Sequence, residues 1–193
     1  LCISITGMGD DATWWTPTAG VRFEQGSLYY LSYWLRRGPQ ASGGVAIAGL
    51  DRVNRDARPS REWSNRSFFF RTPHAPLTDA FFRLGQWHVS GTVLFDEVSL
   101  IPAVAVHKRP AGLDLPLGDG EKVDAGRYTA AHRMDGPGAN DFRCLDRFDA
   151  HFNSNRWVFG DKAEVVYHHQ VGRLRQEESE VEVEVNLLES GSL

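Results

Sequence analysis

The chain has 193 residues, a formal net charge of -4 at pH 7 and a hydrophobic content of 41%. These values are ordinary for a globular chain and exclude collagen, bulk disorder and a long coiled coil. The pI of about 6.0 argues against a broad nucleic-acid surface, and no stretch approaches the ~20 apolar residues of a membrane span.

Turn-forming and aromatic residues are abundant. The sequence contains 19 Gly, 9 Pro, 6 Trp, 5 Tyr and 11 Phe. Frequent turns between aromatic-rich segments favour short strands packed in two layers. We therefore predict an all-β fold with an antiparallel β-sandwich.

Strand patterns begin at the N-terminus and recur along the first half of the chain. After a strand at 1–5, Trp14 and Trp15 follow a Gly-Asp-Asp segment in a predicted loop. The polar segment 51–61 is predicted as a second loop. Short apolar or alternating runs bounded by turn residues predict the other strands of this half, at 28–35, 43–50, 62–71, 80–85 and 91–100.

The strand at 28–35 has two chemically different faces, because successive side chains of a strand point to opposite sides. One face is formed by Tyr29, Leu31, Tyr33 and Leu35. The other is formed by Tyr30, Ser32, Trp34 and Arg36. The mixed polar and aromatic composition of the second set predicts that the first set faces the dry core.

Three prolines between 101 and 116 predict a boundary, which divides the chain into domains at 1–102 and 103–193. The second part is again β-rich, and we expect it to stop before its last strands. It has a predicted strand at 127–131 and a predicted hairpin around 160–162. Strict alternation at 180–187 predicts a further, half-buried strand.

Residues 20–101 resemble the carbohydrate-binding modules of the family 4/9 type, which are galactose-binding-like jelly rolls. The first matching piece is 24–35, a glycine turn followed by a Tyr-x-x-Ser-x-Trp strand. The second is the Phe-x-Thr-Pro step at 70–73. The third is the strand at 91–100, whose Phe-Asp-Glu-Val-Ser-Leu resembles the family's closing strand Phe-Asp-Asp-Val-Ser-Leu.

This resemblance implies a non-catalytic jelly-roll sandwich that binds a polysaccharide or glycan in a secreted or cell-surface protein. It also implies a structural calcium ion, with Asp96 at the position of a common ligand. The family's first strand and its second calcium ligand are missing here. Asp96 and Glu97 are, in the alternative, solvated carboxylates at a strand end.

Aromatic rings beside planar hydrogen-bonding groups suit sugars, which present apolar C–H faces and hydroxyls. Each such ring has an alternative role in packing within the sandwich. The candidate glycan-binding residues are Trp14, Trp15, Tyr30, Trp34, Arg36 and Trp63.

Three functions are compatible with these patterns. The first is a non-catalytic glycan-binding or adhesion module of a larger secreted or surface protein. The second is a structural spacer or subunit of an extracellular filament, with homo-oligomeric neighbours. The third is a polysaccharide hydrolase fragment whose acid and base groups lie within 141–169. The alternative for the dense polar segment 141–157 is an ion-paired loop.

Overall fold

A computed structural model describes residues 2–77, 80–104, 121–124, 127–130, 140, 145–160 and 163–167. Within these residues all regular structure is β, and no helix that could cross a membrane is found among them. The strands are β1 (Ile3–Met8), β2 (Ala12–Trp15), β3 (Leu28–Arg37), β4 (Val45–Leu50), β5 (Val53–Ala57), β6 (Ser64–Arg71), β7 (Phe82–Trp87), β8 (Ser90–Ala103), β9 (Glu121–Asp124), β10 (Arg127–Ala130), β11 (Leu145–Phe148), β12 (His151–Asn153), β13 (Arg156–Val158) and β14 (Val165–Tyr167).

Two sheets form the body of the molecule. The four-stranded sheet has the order β1-β8-β3-β6, and the six-stranded sheet has the order β13-β12-β5-β4-β7-β2. Two-stranded ladders join β9 to β10 and β11 to β14. The pairs are antiparallel except β12 with β5, which run parallel. The predicted all-β sandwich is confirmed.

The core lies between the two sheets and follows the alternation of β3. Tyr29, Leu31, Tyr33 and Leu35 are all buried, as predicted. They belong to one cluster with inward residues of the six-stranded sheet, such as Leu84. Burying these side chains removes apolar surface from water, which is worth about 25 cal/mol per Å².

A bulge in β8 interrupts the period-two alternation that was predicted for 91–100. Register with β3 shifts between the pairs Ser32–Ser99 and Trp34–Asp96. Glu97 has a φ of 47° at this point. The extra residue changes the phase of the strand, so Phe95 faces the core before the bulge and Leu100 after it.

The loop predicted at 51–61 is wrong, because β5 occupies part of it. Polar composition hid this strand: only Val53 is a large apolar residue, and Arg55 points inward next to it. The Arg55 guanidinium lies 4.7 Å from the ring centre of Phe152 and 5.5 Å from that of Phe68. Its Nη1 donates to the Ser154 carbonyl at 2.7 Å.

The hairpin predicted around 160–162 is also wrong. The turn lies at 154–155, where Ser154 has a φ of 60° and β12 pairs with β13. Strand β14 pairs instead with β11. The strand predicted at 127–131 is confirmed by β10, and the one at 180–187 lies outside the described residues.

The six-stranded sheet continues into the second half of the chain. Phe152 in β12 pairs with Val53 in β5, and Phe148, Phe152 and Trp157 belong to the same core cluster as the first-half residues. The division into domains at residue 102 stays a prediction. The described strands β12 and β13 nevertheless extend the six-stranded sheet itself.

Candidate functional site

Two outward sheet surfaces contain most of the predicted site residues. The Trp14 face is the outward side of the six-stranded sheet, formed by Trp14, Ile47, Asp56, Arg83, Gly85 and Trp87. The Tyr30 face is the outward side of the four-stranded sheet, formed by Tyr30, Ser32, Trp34, Arg36, Asn65, Ser67, Phe69, Asp96, Ser99 and Ile101.

Trp14 and Trp15 lie in edge strand β2, so the loop predicted for them is wrong. Trp14 pairs with Gly85, and Trp15 pairs with the core residue Leu84. The two rings therefore point to opposite sides of the sheet. Only Trp14 belongs to the outward face, where it is 45% exposed.

Trp14 begins a row that crosses four strands. It pairs with Gly85, Gly85 pairs with Ile47, and Ile47 pairs with Asp56. The absence of a side chain at Gly85 lets Trp14 pack closely over β7, because a Cβ there would lie 3.2 Å from Trp14 Cβ and 2.8 Å from the Thr13 carbonyl oxygen. Gly85 and the buried side chain of Ile47 thus lie between the Trp14 ring and the Asp56 carboxylate.

Arg83 lies two residues from Gly85 on β7 and faces the same side. Its guanidinium carbon is 4.7 Å from the Trp14 ring centre, a distance at which a cation is attracted to the ring face. Nη2 also donates to the Asp51 carbonyl at 3.3 Å. The tryptophan and the arginine therefore form one unit at the sheet surface that combines an aromatic ring with hydrogen-bond donors.

The charges of this face are partly removed from water. Burial raises the pKa of the Asp56 carboxyl, and the hydrogen bond with Ser154 and the charges of Arg156 and Arg83 only partly oppose it. Burial lowers the pKa of the Arg83 guanidinium, against the opposing effect of Asp51 and Asp56. Perturbed ionisable groups beside an exposed aromatic ring are a feature of functional sites.

A buried amide holds strand β2 in place beneath this face. Gln86 is fully buried, and its Nε2 donates to Asp11 Oδ1 at 3.0 Å. Its Oε1 accepts from the Val89 N–H at 2.8 Å. Asp11 in turn accepts from the Met8 N–H at 2.8 Å, and this bond is the main cause of the lowered pKa of its carboxyl.

The Tyr30 face is organised in cross-strand rows. Tyr30 pairs with Phe69 and Ile101, Ser32 with Ser67 and Ser99, and Trp34 with Asn65 and Asp96. The Tyr30 and Phe69 ring centres are 4.8 Å apart. One row further, the Arg36 guanidinium lies 4.9 Å from the Trp63 ring centre. The structure thus brings Tyr30, Trp34, Arg36 and Trp63 to one side of the molecule, apart from Trp14.

Arg83, Asp56 and Trp87 were not among the sequence candidates. Alternation along β7 places Arg83 on the side opposite the apolar Phe82 and Leu84, so a period-two pattern at 80–87 contained a signal for it. Asp56 had no such signal, since its segment was assigned to a loop. Trp87 is 50% exposed on the same face.

The calcium prediction rests on Asp96 alone among the described residues. Asp96 Oδ1 accepts from the Glu97 N–H at 2.9 Å, within the β8 bulge. No group of three or more His, Cys, Asp or Glu side chains suited to a metal occurs in the described ranges. Calcium prefers six to eight oxygen ligands, and the side chains described around Asp96 do not form that set. A structural calcium stays a prediction.

Within 141–169, the described residues form an ion pair and line a cavity. Arg147 Nε lies 3.0 Å from Glu164 Oε1, with both side chains about half exposed. The loop conformation predicted in the alternative is wrong, because β11, β12 and β13 lie in this segment. Asp149, His151 and Arg52 line a cavity of about 250 Å³. The acid and base roles assigned to this segment stay a prediction.

Comparisons with known proteins gave structural likenesses only. No family model matches the sequence, and no curated protein matches it. A solved structure titled "CBM4 structure and function" has a TM-score of 0.38 at 14% identity, over 53% of this chain and 71% of its own. One titled "Family 16 Carbohydrate Binding Module-2" has a TM-score of 0.39 at 15% identity, over 51% and 74%. At such scores and identities these likenesses assign no function.

Proposed function

We propose that this chain is a non-catalytic carbohydrate-binding module that binds a glycan on the Trp14 face, as part of a larger secreted or surface protein. The arrangement of Trp14, Arg83 and Asp56 carries the proposal. An exposed indole ring, a stacked guanidinium and a carboxylate lie along one side of a rigid sheet.

The chemistry of the three groups matches that of a pyranose. The apolar C–H side of a sugar ring packs against an indole face, which removes apolar surface from water. Hydroxyl groups of the sugar both donate and accept, so Arg83 is suited to donate to them and Asp56 to accept from them. Hydrogen bonds to charged groups are about twice as strong as neutral ones.

The length of the row on this face suits a polymer. Trp14 lies on the edge strand β2, and Asp56 lies three strands away on β5. At about 4.8 Å between neighbouring strands, the row is about 14 Å long. A polymer could lie along such a row and continue beyond both ends.

Replacement of the aromatic platform tests the proposal. We expect Trp14→Ala to lower the affinity for the retained polysaccharide about thirtyfold, because truncating a Trp that carries binding energy costs about 2 kcal/mol. The measurement is affinity gel electrophoresis against a soluble β-glucan, xylan, galactomannan and polygalacturonate. Phe159→Ala is the matched control, since this exposed ring follows β13 and is outside both faces.

Unchanged retention of Trp14→Ala on every polysaccharide that retains the wild type would refute a site on the Trp14 face. Equal losses in Trp14→Ala and Phe159→Ala would point to non-specific adhesion. Secretion and a role as a filament subunit stay predictions.

A further inference from the structure

The Tyr30 face contains a polar strip between two rows of larger side chains. Ser32 in β3 pairs with Ser67 in β6 and with Ser99 in β8, so three hydroxyl groups lie side by side across three strands. Ser67 and Ser99 are exposed, and Ser32 is half-buried. A serine side chain is short, so this strip is the floor of a trough.

Larger side chains border the serine strip on both sides. Tyr30 stands between Phe69 and Ile101 on one side, and Trp34 stands between Asn65 and Asp96 on the other. Residues two apart along a strand are about 7 Å apart, and three neighbouring strands span about 10 Å. The trough therefore runs across the strands.

The wall next to the strip is apolar and exposed. The Tyr30 and Phe69 rings are 4.8 Å apart, and Phe69 and Ile101 are 42% and 51% exposed. An outward sheet face that contacts only water is normally polar at such positions. A continuous apolar wall beside a row of hydroxyls is the combination that a sugar chain requires.

We infer that this trough is a second glycan-binding groove, so that the chain binds glycan on both of its outer faces. The inference rests on the proposed function. The ligand it suits is a neutral sugar chain, because the floor is uncharged and, of the six residues in its two walls, Asp96 alone is charged.

The two faces serve different glycan segments. The Trp14 face and the Tyr30 face are on opposite sides of the sandwich, whose packed sheets are about 10 Å apart. A segment lying on one face cannot contact the other. One molecule therefore joins two glycan chains, or two segments of one long chain, and gains avidity on a dense polysaccharide.

Filling the trough tests the inference. Ser67→Tyr adds a ring to the exposed strip without touching the core. Ser4→Tyr is the matched control, because Ser4 is exposed on β1 of the same sheet, away from the strip. The probe is an oligosaccharide of the polysaccharide retained in affinity gels. Titration calorimetry counts its sites, and the turbidity of a dilute solution of the polymer reports cross-linking.

We expect two sites in the wild type and in Ser4→Tyr, one in Trp14→Ala, one in Ser67→Tyr and none in the double variant. Turbidity should require both faces. A single wild-type site that Trp14→Ala removes would overturn the second groove and leave the proposed function intact. If the wild type has a single site and only Ser67→Tyr removes it, the site on the Trp14 face is refuted, and so is binding on two faces.

Two further results would also overturn the inference. Retention of no polysaccharide would refute both proposals. Concentration-dependent self-association by light scattering, abolished in Ser67→Tyr, would assign the trough to a second copy of this chain.

Discussion

The ionised Asp56 carboxylate lowers the stability of the folded protein. A residue with a purely structural role would not be expected to do so. Its pKa is raised, chiefly by burial, so the folded protein holds this proton more tightly than the unfolded chain does. Below its ordinary value of 3.8 both states are protonated and the residue has no effect. As pH rises above 3.8 and through the folded pKa, ionisation opposes folding, and the penalty is complete once the pH is above the folded pKa.

We therefore expect Asp56→Asn to raise Tm at pH 7, to leave it unchanged near pH 3, and to weaken glycan binding. Thermal unfolding at the two pH values and affinity electrophoresis measure these effects. Asp10→Asn, in an exposed turn, is the control for a lost charge. A lower Tm of Asp56→Asn at pH 7 would show that the carboxylate is structural, because its ion pairs would then outweigh its desolvation.

At the scale of the element, edge strand β2 depends on one buried amide. Gln86 joins β7 to Asp11, just before β2, and to the backbone of Val89. The Trp14 ring is therefore positioned by hydrogen bonds from the opposite side of the sheet. Sequence alternation identifies Gln86 as an inward residue but not the partners that make its burial favourable.

Gln86→Leu should lower the free energy of unfolding by about 1–3 kcal/mol, because the buried Val89 N–H loses its acceptor. Urea unfolding followed by tryptophan fluorescence measures the change. Gln25→Leu, on an exposed turn, is the control. Equal stabilities of Gln86→Leu and the wild type would mean that water or another acceptor replaces the amide.

Strands with alternating apolar residues were predictable, and strands with polar inward residues were not. β3 is an example of the first kind of strand and β5 of the second. Every second residue of β3 from Tyr29 to Leu35 is buried, which its sequence alone predicts. β5 buries Arg55, whose partners Phe152 and Ser154 are about a hundred residues away in the chain. No local pattern contains that information.

At the scale of the whole molecule, the core joins the two halves of the chain. Phe152 is fully buried, and its ring centre lies 5.0 Å from that of Trp157. Trp157 Nε1 donates to the Tyr167 hydroxyl at 3.0 Å. The first-half strands pair with only one edge of β5. At its other edge, aromatic residues from beyond residue 145 therefore cover the core.

We expect Phe152→Ala to destabilise the entire sandwich by about 3–5 kcal/mol, the usual cost of deleting a buried aromatic ring. Chemical unfolding should show one transition that shifts as a whole. Phe159→Ala, which removes an exposed ring, should shift it little. Two separate transitions, with only one affected by Phe152→Ala, would support independent domains divided near residue 102.

The sequence by itself determined the β class, the inward face of β3 and the kinds of side chain available for a sugar site, because alternation and composition are local properties. Only the tertiary structure decided which of those side chains meet. Trp14 and Trp15 separate although they are adjacent, while Trp14, Arg83 and Asp56 converge on one face. The physical reason is strand pairing: hydrogen-bonded register between distant segments sets each neighbour, and no local pattern specifies it.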